Sequence, residues 1–250
     1  MHWTDALIVI AAGFGAGFIN TVAGGGSLIT LPVLIFMGLP PAVANASNRV
    51  AIFAQNIFGV LGFRSKGVSS FPFSIWLSLS ALLGAILGAQ LAVDIKGDVF
   101  NKILAVVMIV VVFFTIFNPN QGAGETLERT ARKHKAISIA LFFLVGIWGG
   151  FIQAGVGFLI IAVLTSVNRF SLVKSNSIKV FVVLVYTVAA LAVFIVENKI
   201  DWLYGLVLAC GNAAGGWVAS RWSVAKGDRW VKAILVVTVF ALAIRLWFFG

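Results

Sequence analysis

Phe73 to Val93 runs for 21 residues without a charged side chain, the length an α-helix needs to cross the hydrocarbon of a bilayer. Similar apolar runs cover Val50–Phe63, Ile103–Phe117, Ala136–Ile152, Val180–Val196, Trp202–Val218 and Val231–Phe249. Backbone in lipid must satisfy its own hydrogen bonds, so runs of this length imply helices. Composition agrees: 61% of residues are hydrophobic and only 10% charged, against roughly a quarter charged in a soluble domain. The expected class is an all-α polytopic membrane protein. Met1-His2-Trp3-Thr4-Asp5 lacks the basic start of a cleaved signal, so the first apolar run is expected to remain.

The net charge of +10 comes from Lys and Arg in short segments between spans, as membrane topology requires. No basic patch interleaved with aromatics points to nucleic acid. The single cysteine, Cys210, excludes an internal disulfide and a cysteine-based metal cluster; it reads as a small packing residue. No motif calls for a cofactor.

One stretch breaks the apolar pattern. Ala6 to Phe18 reads as a helix that meets a polar break at Asn20-Thr21, followed by Gly24-Gly25-Gly26-Ser27 and a short apolar run closed by Pro40-Pro41. A further helix then carries Asn45, Ser47, Asn48, Arg49, Gln55 and Asn56. The chain repeats this design. Gly13 to Asn20 resembles Gly146 to Gln153 at a shift of 133, and the glycines that follow are Gly155 and Gly157. Asn45 to Val50 faces Ser175 to Val180 at a shift of 130. Gly84 and Gly88 match Gly211 and Gly215, both with the four-residue spacing of close helix contact. A tandem duplication follows, with repeats at 1–118 and 136–250 joined by a charged linker at 119–135.

Ser27–Met37 is too short for a full crossing. If Ala6–Met37 is one crossing, the loop charges split evenly between the two sides. If it is a hairpin, Arg64, Lys66, Arg129, Arg132, Lys133, Lys135, Arg169, Lys174, Arg221, Lys226, Arg229 and Lys232 share one side, facing Lys96, Lys102 and Lys199. The second arrangement fits the positive-inside rule. Each half is then a glycine-broken helical hairpin plus three spans. The two halves are inverted, and both chain ends lie outside, as in many transporters.

On a helical wheel Asn45, Arg49 and Asn56 fall within about 40° of one another, and Asn48 and Gln55 widen the stripe. Ser175, Lys179 and Tyr186 form the matching stripe. Each half thus offers one cation among neutral hydrogen-bonding groups. The helix starts after Pro41 and near Ser171 are expected to point partial positive charge toward the breaks, where glycine N–H groups can close on an anion. Snorkelling to headgroups is the plainer account of Arg49 and Lys179, but it leaves Asn45, Asn48 and Asn56 without a purpose. Acidic residues and histidines sit at span ends or in loops, which disfavours cation transport. No Ser–His pair, paired aspartates or metal motif supports an intramembrane enzyme.

Gly17-Phe18-Ile19-Asn20 with Ala23-Gly24-Gly25-Gly26-Ser27, Pro32, and Ala42–Ser47 after Pro40-Pro41 resembles the TauE/SafE family of sulfite and organosulfur-anion exporters and permeases. Gly149-Gly150-Phe151-Ile152 with Gly155-Val156-Gly157 is similar. The resemblance implies a multipass transporter of small sulfur oxyanions or related organic anions in a bacterial inner membrane. The expected site combines Asn20, Thr21, Gly24, Gly25, Gly26, Ser27, Asn45, Ser47, Asn48, Arg49, Gln153, Gly155, Gly157, Ser175, Ser177 and Lys179. Its partners are a small anion and the lipid bilayer. A passive anion pathway, a carboxylate substrate, a scaffold without substrate and a homo-oligomer all stay open.

Overall fold

The computed structural model describes residues 1–69, 71–93, 95, 98–100, 102, 103, 106 and 128–249, with side chains described as far as Thr238. The described residues are helical, with no strand among them. In order, the helices are α1 (Trp3–Val22), α2 (Ser27–Phe36), α3 (Pro41–Arg64) and α4 (Phe73–Val93). After the linker come α5 (Arg132–Phe151), α6 (Val156–Ser166), α7 (Leu172–Val196), α8 (Trp202–Lys226) and α9 (Asp228–Phe249). Nearly all of the run expected at Ile103–Phe117, and the linker as far as residue 127, lie outside the described residues.

Four helices, α1, α4, α5 and α7, are long and apolar enough to cross a membrane, and α2 and α6 are short apolar pieces. Helix α3 has 24 residues, about 36 Å at 1.5 Å per residue. Its asparagines and arginine make it too polar to stand out by hydropathy, although its length would span. Pro41 occupies the first helical position, where a missing N–H costs nothing. Ser171 caps α7 by accepting a hydrogen bond from the Lys174 N–H at 3.2 Å.

The halves interlock. Helix α1 packs along α8, and α5 along α4. Gly211 and Gly215 lie on the backbone of Ile10 and Phe14, while Gly84 and Gly88 lie on that of Phe143 and Ile147. A β-carbon on any of these four glycines would collide with a neighbouring carbonyl, so the close approach exists only because the side chains are absent. In each pair the numbering rises together along both helices, so the two run parallel.

Two apolar clusters show where the short helices lead. Leu34 and Leu39 pack with Val9 and Leu208, which returns the chain after α2 to the start of α1. Leu164 and Phe170 pack with Phe142 and Leu77, and the Ser138 hydroxyl donates to Asn168 Oδ1 at 2.7 Å, which returns the chain after α6 toward the start of α5. At one end of the bundle Phe73 stacks edge-on against Phe170 at 5.1 Å, Lys135 lies over Trp76, and Lys174 pairs with Glu128 at 2.6 Å. At the other end the Asp201 N–H donates to Ser47 Oγ at 2.8 Å, joining the start of α3 to that of α8. Cys210 corrects an expectation. It is exposed on the outer face of α8 rather than packed inside, because the buried face of that helix is taken by Gly211, Asn212 and Gly215.

Candidate functional site

The two glycine-containing breaks, Ala23–Gly26 and Ile152–Gly155, meet at the centre of the molecule. Gly24 has φ +98° and its α-carbon faces that of Gly157; a β-carbon on either would strike the other's backbone. Only glycine tolerates both the left-handed backbone and this approach. The two residues are equivalent at the shift of 133, so like meets like. Gly155 caps α6 at φ +72°, beside Gln153 at φ +62°.

A broken helix leaves carbonyls without partners, and in lipid these are costly. The buried cations answer that need across the crossing. Arg49 on α3 donates from Nη1 to the Gly149 carbonyl (2.7 Å) and to Gln153 Oε1 (3.5 Å), and from Nη2 to the Gly150 carbonyl (2.6 Å). Lys179 on α7 donates to the carbonyls of Asn20 (2.8 Å) and Thr21 (2.9 Å) and to Asn176 Oδ1 (2.7 Å). Each half's cation therefore ends the first helix of the other half. Asparagines extend the pattern: Asn45 Nδ2 donates to the Phe151 carbonyl (2.9 Å) and Asn176 Nδ2 to that of Val22 (2.7 Å).

A second layer ties the breaks to their own halves. Asn20 donates to Gln55 Oε1, Gln55 donates to Thr21 Oγ1, and the Gly26 N–H reaches Asn20 Oδ1. Asn48 donates to Ser27 Oγ and accepts from Thr30 Oγ1 at 2.8 Å. The Tyr186 hydroxyl donates to Gln153 Oε1 at 3.0 Å. Arg49 is wholly buried and Lys179 is 3% exposed. The one ion pair among the described residues is Lys174–Glu128, near the basic end. Arg49 Nε and Ser175 Oγ are buried without a protein partner among the described residues.

The crossing thus gathers Asn20, Thr21, Gly24, Gly25, Gly26, Ser27, Asn45, Asn48, Arg49, Gln153, Gly155, Gly157 and Lys179. Ser175 is buried on α7 one turn from Lys179. Two expected members point elsewhere. Ser47 holds the Asp201 backbone, and Ser177 lines a cavity with Arg64. The break itself starts later than expected: Asn20 and Thr21 stay inside α1, which ends at Val22. Their carbonyls, more than their side chains, are what Lys179 uses.

The helix starts after Pro41 and Ser171 do not point at the breaks, contrary to expectation. Pro41 has no N–H to offer, and the Leu172 and Val173 N–H groups bind the Asp228 carboxylate at 2.8 and 2.9 Å. The helix N-termini at the crossing belong instead to α2 and α6. Thr30 and Asn176 were missed as site residues. Asn176 stands three residues before Lys179, an i,i+3 pairing legible in sequence; Thr30 gave no such signal. Asp228 was legible too, since Lys226-Gly227-Asp228 repeats Lys96-Gly97-Asp98 at the shift of 130.

Residues 9–246 match the family model described as sulfite exporter TauE/SafE. The chain belongs to the TauE/SafE family. It is similar to a probable membrane transporter protein, ORF9, of a Sinorhizobium species, with 30% identity over 96% of this chain and 91% of that one. A probable membrane transporter protein of Haemophilus influenzae is 25% identical over 96% of this chain and 93% of its own. The probable membrane transporter protein YfcA of Escherichia coli K12 is 26% identical over 92% and 85%. No solved structure matches the chain. This TauE/SafE protein is a membrane transporter, and the names of its family and relatives indicate transport rather than catalysis.

Proposed function

We propose that this TauE/SafE protein is a secondary transporter of a small anion, most specifically a sulfur oxyanion such as sulfite or a sulfonate. The substrate binds where the two glycine breaks cross. The observation that carries this reading is the pair of buried cations, Arg49 and Lys179, neither hydrogen-bonded to a carboxylate among the described residues. Buried positive charge is costly in lipid and is kept where a pathway uses it. The N-termini of α2 and α6 begin at the same crossing and add partial positive charge. Arg49 Nε has no protein partner among the described residues and Nη2 has one N–H left over, two donors on one edge of a planar fork that suits an oxyanion. Lys179 has its three N–H bonds committed, so it acts through its field.

The same reading treats residues 1–118 and 136–250 as inverted repeats, each a hairpin plus three spans, joined by the linker 119–135. The return of α2 to the start of α1, and of α6 to the start of α5, supports the hairpins. The gathering of Lys135 and Lys174 at one end supports a cytoplasmic location for that end. The membrane is then a bacterial inner membrane, and both chain ends face outward. Because the halves interlock, the bodies that rock to alternate access are α1, α2, α3 and α8 on one side and α4 to α7 on the other.

The test is flux of labelled sulfite, thiosulfate and methanesulfonate into proteoliposomes, with acetate as the competing class. Accumulation of a sulfur anion against its gradient supports the transporter. Equilibration alone reassigns the same residues to a passive pathway, and flux of acetate alone moves the substrate class to carboxylates.

A further inference from the structure

A cavity of about 510 Å³ opens beside the C-terminal end of α3 and the start of α7, lined by Val60, Arg64, Ser69, Phe71, Ser177 and Phe181. It is no part of the crossing described above. On α3 it meets the face that carries Arg49 and Asn56: Arg49, Asn56 and Val60 lie within about 40° around the helix, and Arg64 is one turn on. From Arg49 to Arg64 this face runs about 22 Å toward the basic end. The cavity holds one cation and two hydroxyls.

Its counterpart at the other end of the bundle lies 130 residues along. Val60 corresponds to Ala190, Arg64 to Phe194, and Ser177 to Ser47. There the space is filled. Phe194 is fully buried, stands over the Arg49 guanidinium at 5.0 Å, and packs with Ala46, Ala89, Ala92 and Ala190. Ser47 Oγ accepts the Asp201 N–H at 2.8 Å, which pins the start of α8 onto α3. At equivalent positions, one end carries a cation in an open cavity and the other an aromatic ring in a closed one.

We propose that the Arg64 cavity is the mouth through which small oxyanions enter or leave on the basic side, with Arg64 selecting their charge. The Phe194 and Ser47–Asp201 contacts are the closed gate at the opposite end. The proposal rests on the anion-transport reading only for the identity of the passenger. A cation at the rim of a low-dielectric cleft raises the local anion concentration, by about tenfold at the low end of such focusing. Arg64 at an interface also suits the phosphate of an acidic lipid, the same oxyanion chemistry from another source, and the test separates the two.

The test is thiol labelling of the whole protein in nanodiscs, with the exposed native thiol removed by Cys210→Ser. Ser177→Cys and Ser47→Cys are labelled with two methanethiosulfonates of similar size, one bearing a sulfonate and one a trimethylammonium. Ser177→Cys is expected to react, and Ser47→Cys at least about tenfold more slowly. The sulfonate-to-ammonium rate ratio at Ser177→Cys should fall about tenfold on Arg64→Gln and recover in Arg64→Lys. Millimolar methanesulfonate should slow the reaction, equally in zwitterionic and phosphatidylglycerol nanodiscs.

An unreactive Ser177→Cys, a ratio indifferent to Arg64→Gln, or equal rates at both positions overturns the proposal. A sulfonate rate suppressed only in the acidic nanodiscs assigns Arg64 to lipid and also overturns it. Labelling needs no turnover, so its outcome is separable from flux. A ratio that falls on Arg64→Gln, with no sulfur-anion flux, sinks the transport reading alone, and flux with a ratio indifferent to Arg64→Gln sinks the mouth alone.

Discussion

Arg49 and Lys179 stand at equivalent places in the two halves, and each ends the first helix of the opposite half, yet they do so with different chemistry. The guanidinium spreads its two Nη groups over the carbonyls of Gly149 and Gly150, keeps Nε unpaired and lies under the Phe194 ring. The ammonium puts every N–H into Asn20, Thr21 and Asn176. One cation retains a donor, and the other is saturated. The two matching segments therefore share one structural duty of a buried cation, the capping of a broken helix. On the proposed anion reading, the two halves then differ in what they can bind. A fork can cap and still bind, whereas a point charge with three donors is used up by capping.

The sharpest way to break this comparison is to remove each cation. Lys179→Met leaves three acceptors without a donor in a buried place, whereas Arg49→Met orphans the carbonyls of Gly149 and Gly150, since Gln153 Oε1 keeps the Tyr186 hydroxyl. At about 1 kcal/mol or more per orphaned group, Lys179→Met should lose about 3 kcal/mol or more of stability and Arg49→Met about 2 kcal/mol or more, measured by reversible denaturant unfolding in mixed micelles. Arg49→Lys should recover about half of that loss, because three donors suffice to cap. If Arg49→Lys is as damaged as Arg49→Met, the shape of the fork matters for capping and the division of duties drawn above is wrong.

The next effect compares two glycines with left-handed backbone. Gly24→Ala meets both strain at φ +98° and the backbone of Gly157. Gly38→Ala meets the same strain at φ +93° with nothing within 4 Å. The first should cost about 3 kcal/mol from strain plus overpacking, the second about 1 kcal/mol from strain alone. Equal losses in the same unfolding assay would mean the breaks do not touch as described.

The architecture was legible where polar residues were forced into lipid. Asn45, Asn48 and Arg49 in an otherwise apolar stretch mark the site because nothing but a function or an uncapped helix end explains them, and the glycine runs mark the crossing. Two things were not legible. Helix-end carbonyls have no residue code, so sequence could not show that Arg49 and Lys179 face the C-termini of α5 and α1 rather than an N-terminus. The exchange of α1 onto α8 and α5 onto α4 was also hidden. Gly84 and Gly211 announce a close partner without naming it, since any backbone fits against a missing side chain.

The smallest predicted difference lies between the two equivalent serines. Ser47→Ala removes the acceptor for the Asp201 N–H and should cost about 1 kcal/mol. Ser177→Ala changes one wall of an open cavity and should stay within about 0.5 kcal/mol of wild type. Hydrogen exchange at the start of α8 should rise in the first variant only. A rise in both would erase the distinction between a closed and an open end.

Anion dependence of stability in the purified protein distinguishes a binding site at Arg49 from a pair of helix caps. The panel is sulfite, sulfate, thiosulfate, a small sulfonate, acetate and chloride, with Arg49→Lys beside wild type. An anion present at 100 times its dissociation constant should add about 2.7 kcal/mol. That gain is expected from a sulfur oxyanion and not from chloride, and it should be lost in folded Arg49→Lys, which caps α5 but has no spare planar donor. No gain from any anion, or an equal gain in Arg49→Lys, would contradict a binding site at Arg49 and leave the buried cations as helix caps alone.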